Sequence, residues 1–116
     1  MKVVRPDDTE AGEAAGKMFE GKVSRQPLID DKTARDICIN MIRFNPGARN
    51  IFHWHTGEQV LYVTEGKGIV ATETEEYIVT PGTAIYIPPG EKHWHGATKD
   101  SSFAHLSILG PGETKF

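Results

Sequence analysis

The chain has 116 residues, of which 38% are hydrophobic and 25% are charged. That length allows one domain with one core, and the composition is that of a globular protein rather than a disordered one. Thirteen basic and sixteen acidic residues give a formal net charge of −3. The basic residues form no cluster or stripe, so we expect no nucleic-acid partner.

Three further observations concern the cellular compartment. No apolar run is long enough to span a membrane, and the start of the chain lacks the apolar core of a secretory leader. Cys38 is the single cysteine, so no intrachain disulfide can form, and we interpret this thiol as a buried apolar residue. We therefore expect a cytoplasmic protein with no membrane association.

Residues 1–26 are predicted to form an N-terminal strap on the protein surface. The stretch from Asp7 to Phe19 is rich in polar and small residues. Gly12 and Gly16 interrupt any helical pattern within it, because glycine disfavours helix interiors. We expect at most one turn of helix here, and a segment able to add an edge strand to a sheet.

Residues 27–116 are predicted to form one β-domain. Turn sequences such as Pro81-Gly82 and Pro88-Pro89-Gly90 divide this part into short apolar or β-branched runs, a pattern typical of an all-β sandwich or barrel. The predicted strands are Arg35 to Phe44, Asn50 to His55, Gln59 to Glu65, Gly68 to Thr72, Glu76 to Thr80, Ala84 to Ile87, His93 to Ala97 and Ser102 to Leu109.

The histidines are the residues that indicate a chemical function for this sequence. All five lie between positions 53 and 105, and four of them belong to the repeated triplets His53-Trp54-His55 and His93-Trp94-His95. Side chains alternate along a strand, so His53 and His55 share one face and can reach one metal ion. Gln59 opens the next strand and can supply a third ligand, and His93 a fourth. The alternative is that these are ordinary hydrogen-bonded histidines on strands. That interpretation would be preferred for a single histidine, but it does not account for a cluster of this kind.

The spacing of these residues resembles the two motifs of the cupin family. The first reads Gly47, five residues, His53-x-His55, three residues, Gln59, six residues, Gly66. The second reads Gly82, five residues, Pro88-x-Gly90, two residues, His93. The resemblance runs from about Phe44 to Leu109 and implies an antiparallel jelly-roll barrel, the double-stranded β-helix, that holds one divalent transition metal.

Two positions depart from the cupin pattern. Ala97 stands where the second motif ends in asparagine, and Gln59 stands where the first motif has glutamate. An amide oxygen is a neutral ligand, so the ion would keep its full +2 charge and act as a stronger Lewis acid. Glu58 remains a rival ligand, because a bulge at Gly57 could turn it inward. We prefer Gln59, since it also places Leu61 and Val63 inside the barrel.

The set of three histidines and one glutamine is similar to that of the small manganese-binding cupins that act as hydroxynitrile lyases. That resemblance implies His105 as the acid/base and Asn40, Ile42 and Leu61 as cavity walls. A strand histidine packed without catalytic role is the alternative for His105. His95 shares the face of His93, so it lies either toward the substrate or in solvent.

The resemblance implies manganese first, although imidazole and oxygen donors also suit iron, nickel, zinc and copper. Three functions stay open: a lyase acting on a small oxygenated substrate, an iron- or manganese-dependent dioxygenase, and a metal- or ligand-binding module without turnover. The expected partners are a small-molecule substrate and further copies of the chain, because cupins commonly form homodimers or homotetramers.

Overall fold

The computed structural model describes residues 1–116 and consists almost entirely of β-strands. A three-residue 3₁₀ helix, Pro6–Asp8, is its one helical element, and no helix is long and apolar enough to cross a membrane. The strands are β1 (Gly12–Glu13), β2 (Phe19–Glu20), β3 (Val23–Ile29), β4 (Cys38–Phe44), β5 (Arg49–Asn50), β6 (Trp54–His55), β7 (Gln59–Gly66), β8 (Gly68–Thr72), β9 (Glu76–Val79), β10 (Ala84–Ile87), β11 (His93–Ala97), β12 (Phe103–Leu109) and β13 (Thr114–Lys115).

The strands form two large sheets and one short ribbon. The first sheet has the order β1-β3-β4-β12-β7-β10, and the second has the order β2-β5-β11-β8-β9. The ribbon pairs β13 with β6, and every pairing is antiparallel. The predicted all-β antiparallel architecture is confirmed.

Turn chemistry explains how neighbouring strands meet. Gly66 ends β7 with a φ of +73°, and a Cβ at this position would collide with the backbone oxygen of Ser102. Gly96 plays a different part, because a Cβ there would collide with Arg49 on the adjacent strand. Glycine removes that obstacle, and β5 can therefore lie directly against β11.

The strand over residues 23–29 differs from the sequence-based expectation. A possible edge strand was expected within residues 1–26 but without bounds, and β3 crosses the boundary drawn between residues 26 and 27. Pro27 explains the omission, because proline lacks the N–H that a sheet ladder needs. Here Pro27 lies beyond the two residues of β3 that pair with β1, and the ladder to β4 is irregular between Pro27 and Ile29.

The predicted strand from Asn50 to His55 is also interrupted. It forms the separate strands β5 and β6, which join different partners. Between them His53 exchanges two backbone hydrogen bonds with His93, at 3.0 and 2.9 Å. The chain thus moves from one sheet to the ribbon while it keeps the two histidines side by side.

The interior face of the first sheet changes from apolar to polar along its strands. One cross-strand row contains Val23, Phe44 and Phe103, all nearly fully buried. The next row contains Arg25, Ile42, His105 and Val63, and the row after that contains Pro27, Asn40, Ser107 and Leu61. The apolar row belongs to the hydrophobic core, and the polar positions approach the histidine cluster.

Candidate metal centre

Three histidines converge inside the fold. Each of His53, His55 and His93 is buried and offers a ring nitrogen, and the three nitrogens lie within 4.8 Å of one another. The ring centroids are 4.2 Å apart for His53 and His93, and 5.0 and 5.4 Å for the pairs that include His55. Such a cluster of imidazoles fits a single divalent transition metal.

Hydrogen bonds on one side of each ring orient the other side inward. Nδ1 of His53 lies 2.7 Å from the carbonyl oxygen of Ile51, and Nδ1 of His93 lies 2.8 Å from that of Glu91. A carbonyl only accepts, so both Nδ1 atoms carry the proton and both Nε2 atoms carry the lone pair. Orientation of ligating imidazoles through their second nitrogen is usual at metal sites.

The third ring is held by the C-terminal ribbon. Nδ1 of His55 lies 2.9 Å from Oγ1 of Thr114, which pairs with His55 across β6 and β13. Nε2 of His55 and Nε2 of His93 are buried and have no hydrogen-bond partner. Buried polar atoms are normally satisfied, so these two nitrogens indicate a missing partner between them.

Gln59 offers a fourth candidate donor atom. Its Nε2 donates to Oγ of Ser107 at 2.9 Å, and its Oε1 is buried without a partner. Glu58 is exposed, and its Oε1 accepts a hydrogen bond of 2.6 Å from the hydroxyl of Tyr86. The structure thus turns the amide inward and the neighbouring carboxylate outward. The unpartnered atoms of His55, Gln59 and His93 fit the requirement of a dication for imidazole and oxygen donors.

Burial keeps these imidazoles neutral. It lowers the pKa of His53 to about 3, and the neighbouring His93 and His55 lower it further against the opposing effect of the Ile51 carbonyl. Burial and then His93 lower the pKa of His55 to about 4, although the amide of Gln59 partly raises it. The pKa of His93 is also lowered by burial. Neutral imidazoles are the metal-binding form, so no proton has to be removed at neutral pH.

A second pair of imidazoles lies next to the first cluster. Nε2 of His105 is 3.0 Å from Nδ1 of His95, and Nδ1 of His105 is 3.2 Å from the carbonyl oxygen of Leu106. The Leu106 carbonyl fixes the proton on Nδ1 of His105, so Nε2 accepts and Nδ1 of His95 donates. The ring of His95 lies 5.6 and 5.7 Å from those of His53 and His93. His95 therefore stands between His105 and the candidate ligands.

Asn50 holds His95 from two directions. Its Oδ1 accepts the backbone N–H of His95 at 2.8 Å, and its Nδ2 lies 3.2 Å from Nε2 of that ring. The close approach of β5 to β11 at Gly96 makes this contact possible. Burial lowers the pKa of His105 to about 4, and burial followed by repulsion from His105 lowers that of His95 well below its usual value. Both rings are neutral at neutral pH.

A cavity of about 140 Å³ opens beside the histidine cluster. Three of the predicted pocket residues, Asn40, Ile42 and His95, line it, whereas Leu61 is fully buried behind the wall. His105 is also fully buried and reaches the cavity only through His95. A wider vestibule of about 620 Å³ adjoins the cavity and shares Asn40, Arg25 and Leu109 with it.

Sequence reasoning missed several residues of the site. Asn50, Ser107 and Thr114 hold the rings and the amide in place, and Met18 and Phe19 of the strap line the cavity. No motif marks them, because each acts through a contact between strands distant in sequence. Alternation along β12 did place Ser107 on the face of His105, which is the one signal that could have found it. The two tryptophans between the histidines are half-buried on the opposite side, with Arg49 over Trp94 and Lys92 over Trp54.

Comparison with known proteins gives the same family from several directions. The cupin domain family matches residues 40–109. The chain is 34% identical to (R)-mandelonitrile lyase of Granulicella tundricola over 111 aligned residues. The alignment covers 93% of this chain and 83% of that protein. A cupin-like protein of Thermotoga maritima is 33% identical with a TM-score of 0.81, covering 87% of this chain and 81% of its own. The polyketide cyclase RemF of Streptomyces resistomycificus shares the fold, with a TM-score of 0.88 at 23% identity over 99% of this chain and 84% of its own.

The chain belongs to the cupin family. Its two facing sheets and its buried histidines agree with that assignment, and the family predicted from the spacing of the histidines, glycines and prolines is confirmed.

Proposed function

We propose that this chain is a metal-dependent lyase that cleaves or forms a carbon–carbon bond at the carbonyl carbon of a small oxygenated substrate. The observation that carries the proposal is the position of His95 between the candidate metal ligands and the fully buried His105. The relative named (R)-mandelonitrile lyase supports the reaction class, since its similarity spans almost the whole chain. Cleavage of an α-hydroxy nitrile is the reaction to test first.

The candidate ligands are His53, His55, Gln59 and His93. All four are neutral, so a divalent cation held by them, with manganese as the first choice, would supply Lewis acidity toward a substrate oxygen. Iron, nickel, zinc and copper suit the same donors. This chain contributes an open cavity of about 140 Å³ next to those donors, a size that favours a small substrate.

The imidazole pair supplies the proton transfer. In cyanohydrin cleavage the substrate hydroxyl loses its proton, the bond from carbon to cyanide breaks, and cyanide takes up a proton as it leaves. We assign His105 as the acid/base, acting through His95. For this transfer the substrate hydroxyl has to replace Nδ2 of Asn50 at Nε2 of His95. Nε2 of His95 then takes the hydroxyl proton while Nδ1 of His95 passes its own proton to Nε2 of His105. The reverse transfer protonates the leaving cyanide. Burial lowers the pKa of both rings, so His105 holds the added proton weakly and returns it readily to the leaving cyanide.

Asn50 and the Leu106 carbonyl set the direction of this transfer. The carbonyl keeps the Nδ1 proton of His105 in place, so its Nε2 is free to accept. Asn50 holds the backbone and the ring of His95. Both histidines are buried, which keeps water from competing for the transferred proton.

The decisive experiment is to produce the protein separately with manganese, iron, nickel, zinc and copper and to assay each form with mandelonitrile. We expect release of benzaldehyde and cyanide with one or more metals, strongest with manganese. Absence of release in every form would overturn the lyase proposal. Oxygen consumption by the iron form with a small diol or thiol would then favour a dioxygenase. Tight metal binding without any turnover would favour a binding module.

A further inference from the structure

Arg25 is an exposed charged residue at the rim of the cavity. It follows Val23 by two positions on the same face of β3 and pairs across the sheet with Ile42. Because it is exposed, its charge is hydrated in the free protein and needs no partner within the chain. Arg25 lines both the inner cavity and the vestibule, so this residue lies where the two meet.

The guanidinium of Arg25 has no anionic partner in the chain. The two ion pairs of the chain are Arg35 with Asp36 and Lys115 with Glu113. Arg43 offers a useful contrast, since it lies one position along the neighbouring strand, faces outward and donates to Oε1 of Gln26 at 3.1 Å. Arg25 thus presents five donor groups to the mouth of the cavity, with none taken up by an acid.

The charge of the residues that line the cavity also favours an anionic ligand. Among the thirteen residues that line it, Arg25 is charged and none is acidic. The side-chain amide of Gln59 adds no negative charge. Asp30 and Asp31 line the vestibule but not the inner cavity. With a dication bound, the charged groups that line the cavity would all be positive, which favours an anion.

We infer that the natural substrate of this site carries a carboxylate, which Arg25 binds at the cavity mouth while the reacting oxygen lies at the histidine cluster. The inference deepens the proposed function and rests on it for the reaction, but not for the binding of the acid. The substrate class is therefore a small hydroxy- or oxo-carboxylic acid. Guanidinium and carboxylate form paired, charge-assisted hydrogen bonds, the strongest that a side chain offers such a group.

The geometry limits the size of this substrate. Arg25 and His105 lie in the same cross-strand row, separated by the single strand β4. Two strand spacings of about 4.8 Å place their backbones roughly 10 Å apart. Since the arginine side chain spans part of that distance, the acid needs only a few carbon atoms between its carboxylate and its reacting oxygen.

The test measures binding rather than turnover. Glycolate, 3-hydroxypropionate and 4-hydroxybutyrate, each with its neutral amide, are titrated by calorimetry into metal-free and zinc-loaded protein. The variants are Arg25→Gln, Arg25→Lys and, as a matched loss of one exposed positive charge on the outer face, Arg43→Gln. Thermal unfolding of each variant checks the fold, and the two ion pairs of the chain do not involve Arg25.

We expect at least one acid to bind the wild type about tenfold or more tightly than its amide, in line with a charge-assisted pair. Arg25→Gln should lose that preference in both metal states, Arg25→Lys should keep part of it, and Arg43→Gln should keep all of it. An unchanged preference in Arg25→Gln, or no binding of any acid at tens of millimolar, would overturn the inference. Mandelonitrile turnover is assayed in parallel, so failure of the lyase proposal is seen separately.

Discussion

Ser107 on β12 holds the side-chain amide of Gln59 on β7 beside the histidines. Its Oγ accepts the hydrogen bond from Nε2 of Gln59 at 2.9 Å, and this leaves Oε1 buried beside the imidazoles without a partner. An amide that was free to turn over would present its NH₂ group to the ion for part of the time, and NH₂ is not a ligand. The hydroxyl on β12 thus supports the orientation in which the amide oxygen of the β7 residue stays unpartnered.

Removal of that hydroxyl is expected to weaken metal binding. In Ser107→Ala the amide loses its orienting partner, and we expect manganese or zinc affinity to fall by about tenfold, as is typical when the support of a ligand is lost. Competition with a chromogenic chelator measures this directly. Ser101→Ala, at a position away from the cavity, is the control. Equal affinity in both variants would show that Ser107 does not orient the ligand.

Replacement of Gln59 by glutamate is expected to separate metal affinity from reactivity. The carboxylate in Gln59→Glu adds a negative charge next to the ion, so metal binding should tighten by tenfold or more. The same charge reduces the Lewis acidity of the ion, and turnover of mandelonitrile should fall. Chelator competition and the cyanide-release assay give the two readouts. Weaker metal binding in Gln59→Glu would contradict the position assigned to this side chain.

Loss of His105 is expected to abolish proton transfer while leaving metal binding intact. The ring packs against Phe44 and Phe103, so leucine can fill the space in His105→Leu. Turnover should drop by about a hundredfold, the usual range for removal of an acid/base group. Chelator competition should give the wild-type affinity. Phe103→Leu, in the same part of the core, serves as a control that lowers stability without removing a proton acceptor.

Unchanged mandelonitrile turnover in His105→Leu would remove His105 as the acid/base. Turnover lost together with metal affinity would instead assign this ring a structural role.

The stability of the metal-free protein is expected to fall as the pH falls below about 6.5. The pKa values of His55 and His105 are lowered to about 4 by burial, from 6.5 in the unfolded chain. Between these values the unfolded chain binds more protons than the folded one, so the free energy of unfolding decreases as the pH decreases. The contribution is complete above pH 6.5 and is lost as the pH passes down toward about 4.

Urea unfolding between pH 7.5 and pH 5 measures this effect in a range where carboxylates stay ionised. His105→Leu should show a smaller decrease than the wild type, because it lacks one of the titrating rings. A free energy of unfolding that stays constant over this range would contradict the lowered pKa values.

Several strands, and the faces on which their side chains lie, could be predicted from the local sequence. Alternation within β7 placed Gln59, Leu61 and Val63 on one buried face, and the structure buries all three. Glycine and proline at the turns gave the bounds of β8, β10 and β11 as the structure has them. The same alternation placed His53 with His55, and spacing added His93. These results depend on neighbours along the chain, where backbone geometry alone fixes which way a side chain faces.

Other features were decided only by tertiary structure. The course of β3 through Pro27, and the place of Arg25 at the rim of the cavity, were not predicted from the sequence. The return of β13 brings Thr114 to His55, and the approach of β5 to β11 brings Asn50 to His95. The placement of His105 behind His95, rather than on the cavity wall, follows from the same assembly. Contacts of this kind join residues up to 59 positions apart, and the order of strands in the sheets determines them, which no local pattern of residues encodes.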